Sequence, residues 1–136
     1  MVVVLVLMAV FAPYIAPYDP IDQSLEDRLQ APSLEHVFGT DDFGRDILSR
    51  IMYGSRISLR IALISTSIAL TLGTALGLLA GYRGGLPDAI AMRLVDIMLA
   101  FPSILLAIAI VAITGPGIDN VILAVSIVMI PQFARL

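Results

Sequence analysis

Two stretches without a single charged residue, 61–82 and 97–118, leave this chain few ways to fold, because each is 22 residues long. As a helix each would measure about 33 Å, close to the hydrocarbon thickness of a bilayer. The solvent such a segment meets is lipid, and lipid leaves every backbone N–H and C=O to be satisfied within the segment, so helices are the expected element. The rest of the composition agrees: 59% of residues are hydrophobic, 14% are charged and the mean hydropathy is +0.98. A soluble domain rarely reaches those values. A net charge of −3 with no basic block provides no footprint for nucleic acid. Zero Cys removes disulfides and thiol chemistry from consideration.

Two shorter uncharged runs complete the hydropathy pattern. Residues 1–16 fall below the roughly 20 a span needs, and the chain opens on Met-Val-Val-Val without the basic start of a signal peptide. The run predicts a first transmembrane helix, truncated at its N-terminal flank and breaking near Pro13 or Pro17. Residues 121–134 stop at Arg135 and predict a span cut short or kinked at Pro131.

The run 61–82 carries a finer pattern. Ser65, Ala69, Gly73, Gly77 and Gly81 recur every four residues and so share one helical face, where a neighbouring helix can approach until the backbones touch. Whether that neighbour belongs to this chain or to another subunit stays open at this level. In the run 97–118, Phe101-Pro102 predicts a kink and Gly115-Pro116-Gly117 a turn.

The densest charge lies between residues 39 and 59, GTDDFGRDILSRIMYGSRISL. Phe43, Ile47, Leu48, Ile51 and Met52 follow helical spacing, with Arg45, Asp46, Ser49 and Arg50 on the other face, which predicts an amphipathic helix near 41–60. Thr40 or Asp41 would cap its start, and Asp46 would pair with Arg50 one turn on. Arg93 and Asp96, three residues apart at the entrance to the 97–118 run, would pair on one face, with Asp96 favoured by the helix N-terminus.

These residues resemble a known family. Gly39-Thr40-Asp41, Gly44-Arg45-Asp46, Ser49-Arg50, Tyr53-Gly54, Arg56 and Ser58-Leu59 look like the signature before the second span in permease subunits of dipeptide, oligopeptide and nickel ATP-binding cassette importers. The similarity continues in order through Gly81-Tyr82, Gly84-Gly85, Asp88, Met92-Arg93-Leu94, Asp96, Ala100-Phe101-Pro102-Ser103, Gly115-Pro116-Gly117, Asn120 and Ala134-Arg135-Leu136, which match the C-type subunit. The resemblance implies an all-α membrane protein with the type I ABC importer permease (MetI-like) helix bundle, about four of six spans being present. It implies a pathway for peptide or nickel formed with a homologous permease subunit in the lipid bilayer. The same resemblance implies two ATP-binding subunits and an extracytoplasmic solute-binding protein as partners. No enzyme activity and no cofactor are expected of this chain, since the chemistry of ATP would lie in the partners. His36, the single His, has no spacing partner that would make it a metal ligand or part of a triad.

Family members continue past Ala-Arg-Leu into a cytoplasmic coupling loop and two further spans, so the chain reads as the first half of a permease. The organisation expected is a truncated first helix over 1–16, an external loop over 17–60 and the start of the permease core over 61–136, with spans near 61–82, 97–114 and 120–134. The implied topology puts 83–96 and Arg135 inside, which sets five Arg outside against three inside and runs against the positive-inside rule. Two other classes stay open: a secondary transporter or channel fragment, disfavoured because 61–82 and 97–118 hold no ionisable residue, and a small membrane assembly subunit.

Overall fold

A computed structural model describes residues 2–136, which form five helices and no strand among the described residues: α1 (Val2–Ile15), α2 (Ile47–Arg83), α3 (Gly85–Ala100), α4 (Ser103–Thr114) and α5 (Ile118–Ala134). The chain divides into two compact units, Met1–Arg60 and Ile61–Leu136.

In the first unit, α1 carries Pro13 within it and continues to Ile15, and its large apolar side chains from Val3 to Leu7, with Val10, Phe11 and Ile15, are exposed while Ala9 and Ala12 are buried. Residues 16–46 are irregular, and a bridge between Thr40 and Asp46 folds the charged stretch back on itself. The helix that follows begins at Ile47, not near 41, and runs without a break through Arg83. Phe43 therefore does not belong to a helical stripe. It sits in the turn, half-exposed, with the Arg45 guanidinium 4.7 Å from its ring centre, where the ring's negative face attracts the cation.

In the second unit, α2 and α5 run in the same direction, since Ser65 meets Ile122, Gly73 meets Ile130 and Gly77 meets Ala134. Between them the chain must return, and it does so in two pieces. Pro102 does not kink a continuous span: α3 ends at Ala100, α4 starts at Ser103, and their axes differ by 92°. Proline lacks the N–H that would bond the preceding turn and pushes Phe101 into an extended conformation, φ −81° and ψ 140°. At the other end Asn120 Nδ2 donates to the carbonyls of Thr114 and Gly115, both at 3.0 Å, satisfying the last turn of α4.

One described helix, α2, is long and apolar enough by itself to cross a membrane. The α3–α4 pair passes the same test only as a broken span or re-entrant loop, and α1 and α5 are apolar but shorter. The expected runs each carry an apolar helix, and the one over 97–114 is bent where hydropathy showed a single run, because hydropathy measures a run's length but is blind to the direction its helix takes after Pro102.

Candidate functional site

Two constructions stand out, one in each unit. The first is a polar knot built on the charged stretch. Asp46 is the N-cap of α2: its Oδ2 accepts from the backbone N–H of Ser49 at 2.8 Å and from Ser49 Oγ at 2.7 Å. This replaces Thr40 or Asp41 in the capping role. The other oxygen of Asp46 stands 3.0 Å from His36 Nδ1, and His36, Asp46 and Ser49 are all buried. The ring of Tyr18 lies 4.8 Å from that of His36, while the Tyr18 N–H donates to Ser49 Oγ at 3.2 Å. Burial works against charge on Asp46, yet the Ser49 and His36 contacts together hold its carboxyl below the usual range.

Asp41 organises the preceding turn. Its Oδ1 accepts from the N–H groups of Phe43 and Arg45 at 2.8 and 3.1 Å, and its Oδ2 takes Arg45 Nε at 2.8 Å and also the Arg50 guanidinium. Arg50 thus pairs with Asp41 and not with Asp46. Desolvation again opposes ionisation, but the Arg45 side chain and the two backbone N–H groups hold Asp41 well below the ordinary carboxylate range. Thr40 Oγ1 accepts the Gln30 N–H at 2.8 Å and donates to the Asp27 carbonyl.

Gly39 and Gly44 both have φ of +73°, and a side chain on either would overlap backbone, the Gln30 carbonyl for Gly39 and the Ser24 carbonyl for Gly44. Only glycine combines that conformation with that closeness. A cleft of about 340 Å³ beside the knot is lined by Asp19, Asp22, Asp27 and Glu35 together with His36 and Asp46. Among the described residues no group of His, Asp and Glu is disposed to hold a metal ion. His36, set aside on spacing, is the knot's buried centre. Its partner stands ten residues away across an irregular loop, and no periodic signal reports that.

The second construction is the seam between α2 and α5. Ser65 is fully buried and its Oγ donates to the Ile122 carbonyl at 3.1 Å, and Ala69 is fully buried. A methyl group on Gly73 would lie 2.6 Å from the Ile130 carbonyl oxygen and 2.7 Å from Phe133 Cβ. On Gly77 it would overlap the Ala134 carbonyl oxygen. Gly81 has open space where a side chain would stand, so the close approach ends one turn before the glycine repeat does. At that end of the unit Asp96 Oδ1 takes Arg135 Nη1 at 2.6 Å, an exposed pair. Asp96 does not pair with Arg93, and it lies near the C-terminal end of α3, not at a helix N-terminus.

Known proteins are similar to this chain in sequence. The family described as the N-terminal TM domain of oligopeptide transport permease C matches residues 1–32. The family described as the binding-protein-dependent transport system inner membrane component matches residues 73–136, the part that holds Gly73, Gly77 and α3 to α5. The dipeptide transport system permease protein of Alkalihalophilus pseudofirmus is 53% identical over 96% of this chain and 43% of its own length. The glutathione transport system permease protein of Pectobacterium atrosepticum is 51% identical over 99% of this chain and 45% of its own. The di/tripeptide transport system permease protein of Pseudomonas aeruginosa is 49% identical over 97% and 46%. This chain spans less than half the length of these relatives. The matches take in both the first helix and most of the seam, so that along nearly its whole length this chain is similar to binding-protein-dependent transport permeases.

Proposed function

We propose that this chain supplies part of the membrane pathway of an importer for small peptides, working beside a homologous permease subunit, two ATP-binding subunits and an extracytoplasmic solute-binding protein. The observation that carries the reading is identity near one half with peptide and glutathione permeases, sustained over almost all of this chain. Peptide is favoured over nickel because the named substrates of those relatives are peptidic. The chain's own part is mechanical: a continuous α2 and a parallel α5 locked at backbone contact make one rigid pair, while the break at Pro102 leaves α3 and α4 as separate levers.

In this reading the knot over residues 17–46 lies outside and the Arg83 and Arg135 ends lie inside, the parallel course of α2 and α5 being what one return of the chain between them requires. The test is uptake by cells that express the complete transporter. Labelled dipeptide, tripeptide, glutathione and nickel are supplied in turn, and accumulation of one peptide that is abolished by a Walker-lysine variant of the ATP-binding subunit is the expected result. Uptake of nickel alone, or uptake that persists without ATP hydrolysis, would defeat the proposal.

A further inference from the structure

A groove of about 400 Å³ runs between α2 and α3, apolar along its length and basic at one end. Leu72, Ala75, Leu76 and Leu79 form one wall, and Pro87 and Ala91 face them from α3. Arg83 stands at the mouth. From Leu72 to Leu79 the wall extends about 10 Å along the helix, roughly two thirds of one leaflet's hydrocarbon depth.

Arg83 is the first charge after the uncharged run 61–82, so in a bilayer it stands at headgroup level, and the neighbouring Tyr82 is 93% exposed, as an interfacial aromatic would be. Ala75, one of the small residues, keeps the middle of the groove open. A phosphodiester can accept two of the guanidinium N–H groups while its alkyl tail lies along the apolar wall.

We infer that this groove binds an anionic phospholipid, with one acyl chain along Leu72 to Leu79 and the phosphate on Arg83. The charge at the mouth selects the headgroup and the apolar wall selects the chain, so a free phosphate would gain only the first contact and a neutral lipid only the second. The inference rests on the reading of α2 as membrane-crossing, which resistance of the membrane-bound protein to carbonate extraction tests separately.

The experiment uses the complete transporter, purified in mild detergent and examined by native mass spectrometry after reconstitution with equal phosphatidylglycerol and phosphatidylcholine. Wild type should retain phosphatidylglycerol preferentially. Arg83→Gln should reduce that preference about fivefold, the effect of one basic side chain at an anionic surface. Ala75→Trp, which fills an exposed part of the groove, should reduce retention of both lipids, and Arg28→Gln, an equal loss of charge elsewhere, should change neither. A benzophenone side chain at Leu79 should label lipid. Labelling of the second permease at that position, or an unchanged lipid preference in Arg83→Gln, would overturn the inference.

Discussion

The knot of residues 17–49 and the seam between α2 and α5 solve the same problem, fixing two segments against each other, with opposite materials. In the knot nearly every contact is directional: carboxylates accept from backbone N–H groups, guanidinium groups and hydroxyls, and two glycines only clear the space. In the seam contact comes from what is absent, since Gly73 and Gly77 let carbonyls of α5 lie where side chains would be, and a single hydroxyl, that of Ser65, crosses between the helices. The difference follows from the solvent. Water penalises a loop for burying polar groups unpaired, so the loop pairs them. Lipid provides little hydrophobic drive between helices, so they gain by close dispersion contact.

The largest effect that separates the two is expected at Gly77. In the complete permease Gly77→Leu should abolish a monodisperse complex on size-exclusion chromatography in detergent, because the side chain would have to occupy the Ala134 carbonyl's position. Gly81→Leu, four residues on in open space, should stay within about 0.5 kcal/mol of wild type. Equal damage from both would show that the whole small-residue face, not the α5 contact alone, is required.

Gly44→Ala comes next and tests the knot alone. Positive φ and overlap with Ser24 should together cost about 2–4 kcal/mol, seen as rapid proteolysis in the 17–46 region while the helices of the seam stay protected. Cleavage in both regions would make the two constructions one cooperative unit.

A third effect depends on pH. Asp41 and Asp46 both ionise more readily folded than unfolded, so the folded state binds fewer protons than the unfolded chain. Their contribution is fully present above the unfolded value of about 3.9 and is lost as pH falls from there towards their lower folded values. Protection of the knot should therefore be level from pH 7 to about 5 and decline below about 4. In Asp46→Ala the loss of the N-cap should cost about 1 kcal/mol at neutral pH and flatten that decline, whereas the seam contacts of Ser65, Ala69, Gly73 and Gly77, in which no carboxylate takes part, should show no such dependence. A decline of equal steepness in Asp46→Ala would remove this carboxylate from the account.

The smallest effect belongs to Asp96 and Arg135. Their pair is exposed, so Asp96→Asn should change stability by no more than about 1 kcal/mol. If the pair serves the inner gate or its docking surface, as the proposed topology suggests, basal and binding-protein-stimulated ATPase of the reconstituted transporter should change while membrane insertion does not. Wild-type values for both would reduce the pair to an anchor.

How much of this was legible in the linear chain differs between the two regions for a physical reason. The seam's face could be read because a helix turns a spacing of four into a surface, and Ser65, Ala69, Gly73 and Gly77 share one whatever packs on it. The knot could be recognised by resemblance but not built, since its bonds join Asp46 to His36, Thr40 to Gln30 and Gly44 to Ser24 across irregular backbone that has no period. Helical spacing assigned Asp46 to Arg50 and Asp96 to Arg93; Asp46 instead caps its own helix through Ser49 and meets His36 from the loop, and Asp96 meets Arg135 thirty-nine residues on.

By itself the sequence determined that this chain is helical and belongs in a membrane, because long uncharged runs leave the backbone no other way to satisfy its polar groups. It also determined which face of α2 could be approached closely. Only the tertiary structure decided that α5 of the same chain fills that face as far as Gly77 and no further, and that the chain turns through 92° at Pro102. It likewise decided that the single histidine stands 3.0 Å from the carboxylate of a buried aspartate. Those outcomes depend on which segments meet in space, and a periodicity along one helix carries no information about its neighbour.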